Sequence, residues 1–212
     1  VYGATLGTDR HGVEGQAYSF DGVADTITIP KGAFPIGDGV TLSFWTNGKN
    51  DLSKNTTIIH AMSTANIEAL KVHLPYNSTI YWDFGDGLAS PSRIQKFATL
   101  SHIKNKWTHW VFNADKSNGL MQIFVDGIAW KTGSKSIKTA YLNNISSFVV
   151  GTSIGPGKYW KGILDELKIY NRALSADEIE LLYLAESPNH FVDSAKGLEM
   201  IWVEPGTFTM GS

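Results

Sequence analysis

The fold is decided by the stretch Thr79-Ile80-Tyr81-Trp82-Asp83-Phe84, which runs into the turn Gly85-Asp86-Gly87. Apolar and polar side chains alternate along it, and successive side chains of a strand point to opposite faces of a sheet. One face of this strand is therefore expected to meet a core and the other to meet water. The glycines and the aspartate that follow predict a tight turn.

The same alternation recurs along most of the chain. Strands are predicted at 26–29, 41–46, 57–62, 70–74, 107–114, 120–125, 128–130, 147–150 and 163–170. Asp126-Gly127, between two of these segments, predicts a type I′ hairpin. About ten strands, separated by turns and almost without helices, indicate an antiparallel sandwich, because parallel strands would need crossover helices.

One short helix is predicted near the C-terminal end. Ser175-Ala176-Asp177-Glu178 forms a capping box, in which the Ser175 hydroxyl accepts from the amide of Glu178 and the Glu178 carboxylate reaches back. Ile179, Leu182 and Tyr183 follow at helical spacing. We expect this helix to pack its apolar side on the end of the sandwich.

Composition excludes several classes of function. The 212 residues include 18 Lys and Arg, 20 Asp and Glu, and no cysteine, for a net charge of −2. Disulfides, thiolate zinc sites and cysteine nucleophiles are therefore excluded, and a basic surface for nucleic acid is not expected. No apolar run approaches the length of a membrane helix. We predict no nucleic-acid partner, no membrane insertion and a monomeric isolated domain.

Three segments resemble a known family. They are Gly15 to Ile29, Trp107 to Phe112 with Met121 to Gly127, and Ile163 to Ser175 running into Glu178-Ile179. In this order and spacing they resemble the bacterial laminin-G-like domains of the concanavalin A-like lectin and glucanase superfamily. The resemblance implies an all-β jelly roll, a sandwich of two antiparallel sheets. Trp45 and Trp107 match family positions and are predicted to lie in the core, and His109 is predicted to be structural.

The chain is predicted to divide near residue 187. Residues 1–186 form the laminin-G-like domain, 187–197 a polar linker, and 198–212 the truncated start of a second domain. The segment Met200 to Ser212 resembles the opening of the formylglycine-generating, sulfatase-modifying family. That resemblance implies that this module precedes an enzyme-like domain in its parent protein, and it carries no activity for this chain. The parent protein is predicted to be extracellular or periplasmic.

Aromatic and polar residues near predicted loops are the candidate ligand-binding groups. Trp and Tyr rings stack on flat apolar faces such as those of sugar rings, and sandwiches carry their binding residues on loops. The candidates are Tyr76, Trp82, Asp83, Asp86, Trp130, Lys158, Tyr159 and Trp160.

Calcium is the one cofactor that the sequence favours, in a structural role. Hard cations take carboxylate and carbonyl oxygens, which Gly-flanked aspartates at strand ends supply. Asp21 and Asp25 surround a predicted turn, and Asp165 occupies the acidic position of the last-strand segment. In domains of the family the N-terminal turn and this strand lie close together and often hold one calcium. The alternative is that Asp21 makes a turn and Asp165 ends a strand.

The predicted function is a non-catalytic binding module for a glycan or for an extracellular protein, and a sulfated glycan would fit the second resemblance. The alternating Glu-x-Asp-x-(x)-Glu pattern of retaining glucanases does not occur. A divergent glycan hydrolase or lyase on the same fold, for example one using Tyr159 with His73, is the first alternative. A structural or adhesion spacer is the second.

Overall fold

Alternating side chains build two antiparallel sheets that face each other across a core. The structure is a computed structural model, and it describes residues 1–85, 92–137, 144–153, 157–187, 190–193 and 198–201. The strands are β1 (Thr5–Gly7), β2 (Ala17–Asp21), β3 (Ile27–Thr28), β4 (Gly39–Gly48), β5 (Asn55–Ser63), β6 (Glu68–Tyr76), β7 (Thr79–Phe84), β8 (Ser92–Phe97), β9 (Thr108–Asp115), β10 (Leu120–Val125), β11 (Ile128–Ser134), β12 (Ile145–Val150), β13 (Lys161–Tyr170), β14 (His190–Asp193) and β15 (Leu198–Ile201). One α-helix, α1 (Ala176–Glu186), and two short 3-10 turns, Lys31–Ala33 and Leu100–His102, complete the described elements.

The two main sheets have seven and six strands. The seven-stranded sheet has the order β1-β2-β13-β4-β9-β10-β11, and the six-stranded sheet has the order β3-β12-β5-β6-β7-β8. Strands β14 and β15 form a separate two-stranded ribbon. Every neighbouring pair is antiparallel, so the predicted jelly-roll sandwich is confirmed.

The core lies between the sheets and is built from the inward side chains of each strand. On β7, Ile80, Trp82 and Phe84 are almost completely buried, as the alternation predicts. The ring of Trp82 lies 5.8 Å from that of Phe112 on the opposite sheet. Its Nε1–H donates to the backbone oxygen of Asn113 at 3.0 Å, so the indole joins the two sheets by a hydrogen bond as well as by packing.

Ten strands were predicted, and each lies at an observed strand. Strands β1, β2, β8, β14 and β15 were not predicted. Strand β8 was not predicted because only Ile94 and Phe97 are apolar among its six residues. It forms the edge of its sheet. Edge strands bury less side-chain surface, so their hydrophobic pattern is weak.

The predicted hairpin between β10 and β11 is confirmed. Asp126 and Gly127 have φ angles of 50° and 78°, as a type I′ turn requires. A Cβ atom at position 127 would lie 3.0 Å from the Tyr183 ring. Glycine is needed there both for its backbone angle and for the close approach of α1.

Helix α1 begins with the predicted capping box. The Ser175 hydroxyl accepts from the amide of Glu178 at 3.2 Å, and the Glu178 carboxylate accepts from the amide of Ser175 at 2.8 Å. The helix does not cover the end of the sandwich, and that prediction is wrong. Ile179 packs with Val111 and Phe124, which point outward from β9 and β10, so α1 covers the outer face of the seven-stranded sheet.

A polar cluster lies beneath the C-terminal end of α1. Arg10 donates to Asp165 at 2.5 Å and to the backbone oxygen of Glu186 at 2.7 Å. Trp45 donates through Nε1 to the Glu186 carboxylate at 2.7 Å, and its ring stacks on Tyr183. Trp45 is buried, as predicted, but in this outer cluster rather than between the sheets. Trp107 is only half-buried.

Candidate ligand-binding site

The outer face of the six-stranded sheet carries a set of aligned polar and aromatic side chains. Pairing places Lys71 on β6 opposite Asp83 on β7, and Asp83 opposite Arg93 on β8. In the adjacent row, His73 lies opposite Tyr81. Because directly opposed residues of antiparallel strands lie side by side, these groups form two short rows on one face.

A pocket of about 270 Å³ opens between these rows. The ring of Tyr81 lies 5.7 Å from that of His73 and 6.1 Å from that of Tyr76. Lys71, Arg93 and Lys158 complete the lining, which we call the tyrosine pocket. Neither phenol hydroxyl is hydrogen-bonded within the described part of the chain, so both can bond to a ligand.

Two of the cations in the pocket are neutralised by carboxylates behind it. Arg93 donates Nε and Nη2 to the two oxygens of Asp83 at 2.5 and 2.7 Å. Lys71 donates to Glu68 at 2.5 Å. Burial opposes ionisation of Glu68, but hydrogen bonds from His60 and Lys71 outweigh it and lower the pKa of Glu68 to about 2. Glu68 is therefore ionised at neutral pH.

Lys158 is the cation without such a partner. Its Nζ lies 5.3 Å from the centre of the Tyr76 ring, and among the described residues no carboxylate pairs with it. Its backbone oxygen accepts from the amide of Thr57 at 2.9 Å, which fixes the segment against β5. As far as the described residues go, the pocket thus carries one uncompensated positive charge beside two tyrosine rings.

His73 forms the neutral floor of the pocket. Its Nδ1 lies 3.1 Å from both the Thr56 backbone oxygen and the Thr57 hydroxyl. Burial lowers the pKa of His73 to about 4, so the imidazole is uncharged at neutral pH. It contributes shape and a ring edge rather than charge.

The pocket brings together only some of the ligand-binding residues predicted from the sequence. Tyr76 and Lys158 line it, and Asp83 lies behind it, held by Arg93. Asp86 lies outside the described residues. Tyr159 is half-buried and does not line the pocket.

The three predicted tryptophans do not join the site. Trp82 and Trp160 are fully buried in the core, which corrects the prediction that they stack on a ligand. Trp82 faces inward because it alternates with Tyr81 and Asp83, and Trp160 packs beside Gly48. Trp130 lies at the sheet edge, with its ring against Trp110 and beneath Lys96.

The sequence-based reasoning missed Lys71, His73, Tyr81 and Arg93 as members of the site. Period-two alternation could have found Tyr81, because a strand that buries Trp82 must turn Tyr81 to the other face. Arg93 could not be placed beside Asp83 because β8 was not predicted. The approach of Lys158 to Tyr76 joins segments far apart in the chain, and no local pattern signals it.

Asp21 and Asp25, two of the carboxylates predicted to bind calcium, already have backbone partners. Asp21 accepts from the amides of Val23 and Ala24 at 2.7 and 3.2 Å. The bond from Val23 is the largest influence on Asp21 and lowers its pKa. Asp25 accepts from the amide of Asp21 at 2.7 Å. These contacts are those of an Asx-type turn.

The third carboxylate, Asp165, lies elsewhere. Pairing places Asp21 opposite Lys161, so Asp165 is four residues farther along β13, roughly 13 Å away. Its partner is Arg10. Within the described ranges no three His, Asp or Glu side chains come together in a way that could hold a metal ion. The predicted ligand set therefore does not fit one calcium ion.

A buried Ser–His–Glu group lacks the geometry of a hydrolase. Ser43 Oγ lies 2.8 Å from His109 Nε2, but the Glu186 carboxylate approaches the same nitrogen, at 3.9 Å. A nucleophile and its orienting acid must bond to opposite ring nitrogens. Both Ser43 and His109 have no exposed surface, and burial lowers the pKa of His109 to about 3. His109 is therefore structural, as predicted.

Within the part of the chain that the structure describes, the tyrosine pocket also lacks a pair of free carboxylates. None of its six lining residues is acidic. Asp83 has only 1% of its surface exposed and is held by Arg93, although burial raises its pKa. Glu68 has a pKa of about 2, which is too low for a general acid. Glycoside hydrolysis needs an acid and a second carboxylate on either side of the scissile bond.

The fold matches a known family over most of its length. The model of Laminin_G_3, described as the concanavalin A-like lectin/glucanases superfamily, matches residues 21–180. The chain belongs to this family. Its matched region includes every residue of the tyrosine pocket. No curated protein matches the chain.

Solved structures of binding domains share this fold. The ligand-binding domain of botulinum neurotoxin serotype D, in complex with N-acetylneuraminic acid, matches with a TM-score of 0.68 and 17% identity over 94% of this chain and 48% of that one. The receptor-binding domain of botulinum neurotoxin mosaic serotype C/D matches with a TM-score of 0.68 and 18% identity over 89% and 47%. The binding domain of Paraclostridial Mosquitocidal Protein 1 matches with a TM-score of 0.67 and 17% identity over 87% and 46%. The chain spans about half the length of these structures.

Two further observations concern the surroundings of the domain. Among the described residues, no helix has the length and apolar character needed to cross a membrane. The segment that resembles a formylglycine-generating domain lies mostly at 202–212, outside the described residues, and that resemblance stays a prediction.

Proposed function

We propose that this domain is a non-catalytic carbohydrate-binding module of a larger exported protein and that the tyrosine pocket binds an acidic sugar. The observation that carries the proposal is the uncompensated charge of Lys158 beside Tyr76 and Tyr81. These rings supply apolar contact area, and their unbonded hydroxyls supply donors and acceptors for sugar hydroxyls. A carboxylate or sulfate group on the sugar would pair with Lys158.

The shape of the site also supports binding rather than catalysis. Apart from Lys158, its lining residues lie on β6, β7 and β8, so little ordering of them is needed when a ligand arrives. The acidic groups nearest to the pocket are engaged by Arg93 and Lys71. One structural relative binds N-acetylneuraminic acid, a sugar that carries a carboxylate. At this low identity, that complex supports the ligand class and not the location of the site.

Binding to a panel of neutral, carboxylated and sulfated oligosaccharides tests the proposal. We expect the acidic sugars to bind and Tyr81→Ala to weaken their binding about tenfold, as lost aromatic contact predicts. Lys158→Ala should weaken the binding of acidic sugars and leave any neutral sugar unaffected. Isothermal titration calorimetry on folded protein gives both affinities.

Matched controls are available on other parts of the surface. Tyr2→Ala removes a tyrosine ring that is 71% exposed, and Lys116→Ala removes a lysine that is paired only weakly with Asp38. Neither substitution should change affinity. If the folded protein binds no oligosaccharide, or if Tyr81→Ala binds as tightly as Tyr2→Ala, the tyrosine pocket is not a glycan site.

A further inference from the structure

We infer that the binding site continues from the tyrosine pocket around the sheet edge into a basic cleft between β8 and β11, so that the ligand is an extended polyanionic glycan. This inference rests on the proposed function and specifies its ligand class. The basic cleft is the space of about 460 Å³ that Arg93, Gln95, Lys131, Ser134 and Lys135 help to line.

The cleft lies where the edges of the two sheets meet. Strand β8 ends the six-stranded sheet and β11 ends the seven-stranded sheet. The Ser92 hydroxyl donates to the backbone oxygen of Ser136 at 3.1 Å, which ties the two edges together. Gly133 lies against Ile94, and a Cβ atom there would come within 2.7 Å of the Ile94 methyl group. A larger residue at 133 would press into the floor of the cleft.

The charges along the cleft have one sign. Among the described residues, Lys131 and Lys135 pair with no carboxylate and no acidic residue lines the cleft. Lys96 lies nearby, with its Nζ 4.6 Å from the centre of the Trp130 ring. The whole chain has a net charge of −2, so this concentration of cations is local. A cleft lined by one sign of charge concentrates ligands of the other sign.

Arg93 joins the two parts of the site. It lines both the tyrosine pocket and the basic cleft, so the two openings are adjacent. Lys131 and Lys135 are separated by four strand residues, roughly 13 Å. A single sugar in the tyrosine pocket cannot reach both lysines, whereas a chain of acidic sugars that crosses Arg93 can.

Two simpler explanations exist for cations at a sheet edge. Lysines on edge strands prevent strand-to-strand aggregation, and β8 and β11 both have an unpaired side. A cationic edge also attracts any polyanion, including single-stranded nucleic acid. The experiment must separate these explanations from glycan recognition.

The experiment uses heparin oligosaccharides graded from disaccharide to decasaccharide, with the full chain and calorimetric detection. Wild-type protein should bind long oligosaccharides more tightly than the disaccharide. The double variant Lys131→Gln/Lys135→Gln should lose about tenfold in affinity for the long ones and less than about twofold for the disaccharide. Tyr81→Ala should weaken both. The matched control Lys106→Gln/Lys116→Gln should change neither.

Each contrary outcome has a distinct meaning. Length-independent binding, or a cleft variant indistinguishable from the control, overturns the inference and leaves the tyrosine pocket standing. Aggregation of the cleft variant with unchanged affinity identifies the lysines as edge protection and also overturns it. Equal affinity for single-stranded DNA of matched charge shows unselective polyanion binding and overturns glycan recognition. Absence of binding to every oligosaccharide overturns the proposed function itself.

Discussion

Replacing Arg93 should destabilise the protein, because this residue neutralises a carboxylate that has almost no contact with water. Asp83 is 1% exposed by side chain, while Arg93 is 39% exposed. Arg93→Ala would leave the Asp83 carboxylate buried and unpaired. Breaking a fully buried ion pair costs about 3–5 kcal/mol, and the partial exposure of Arg93 places this pair at the low end. Arg93→Ala also removes the cation–π contact between the guanidinium and the Tyr81 ring, whose centre lies 4.9 Å away. This loss adds about 0.5–1 kcal/mol to the destabilisation.

The expected free-energy loss is therefore about 3.5–4 kcal/mol, which corresponds to a fall of about 7–16 °C in Tm for a domain of this size. Urea and thermal unfolding at neutral pH measure it. Gln95→Ala on the same strand and face is the control and should stay within about 0.5 kcal/mol of wild type. Adding Asp83→Asn to Arg93→Ala should recover part of the loss, because the charge that lacks a partner is then gone.

The loss should also depend on pH. Burial already raises the pKa of Asp83 above its ordinary value of 3.8, and removal of Arg93 raises it further. Between the unfolded and folded pKa values the folded variant binds more protons, so its stability falls as pH rises. The gap to wild type should be smaller at pH 4 than at pH 7. A loss below about 1 kcal/mol at pH 7, or one that Asp83→Asn does not reduce, would refute this reasoning.

Three other perturbations test the Arg10–Asp165 pair, the predicted calcium site and the buried histidines. Arg10→Ala should cost about 3 kcal/mol by leaving Asp165 unpaired, and a chelator should leave the wild-type Tm unchanged. A fall in Tm on chelation that Asp21→Asn abolishes would instead establish a calcium site. Stability should fall as pH drops from about 6.5 toward 4. Burial lowers the pKa of His73 to about 4 and that of His109 to about 3 in the folded protein. In this pH range the histidines of the unfolded chain are protonated while those of the folded chain are not, so acid favours the unfolded chain. Urea unfolding at a series of pH values measures this dependence. His73→Gln should reduce the change in the free energy of unfolding with pH. An unchanged dependence would contradict the claim that buried His73 causes it.

The alternation of apolar and polar residues predicted most strands well, because a strand with one buried face shows this alternation in its own sequence. The segment 79–84 was predicted with the bounds that the structure has. The capping box at Ser175 was equally local, and its hydrogen bonds are present. Strand β8 lacks this alternation and could not be predicted from it. Its side chains Arg93, Gln95 and Lys96 are polar because they face solvent and the sheet edge, so the segment lacks a continuous apolar face.

The site could be predicted only in part, because register and packing bring its members together. Alternation assigns Tyr81 and Trp82 to opposite faces, but only pairing of β6, β7 and β8 aligns Lys71, Asp83 and Arg93. The same limit explains the calcium prediction. The resemblance placed Asp165 near the N-terminal turn. In the structure, Asp165 instead pairs with Arg10 of the N-terminal segment. Arg10 therefore pairs with one of the three carboxylates that were predicted to bind calcium.

The position of α1 determines which face of the sandwich is left for a ligand. Val111 and Phe124 form an apolar patch on the outer face of the seven-stranded sheet, and α1 covers this patch. The outer face of the six-stranded sheet instead carries paired charges, and no described helix lies over it. Paired charges tolerate water, and Tyr76 and Tyr81 stay half-exposed among them. A helix that touches none of the pocket residues therefore leaves this polar face, and not the part of the seven-stranded sheet beneath α1, accessible to a ligand.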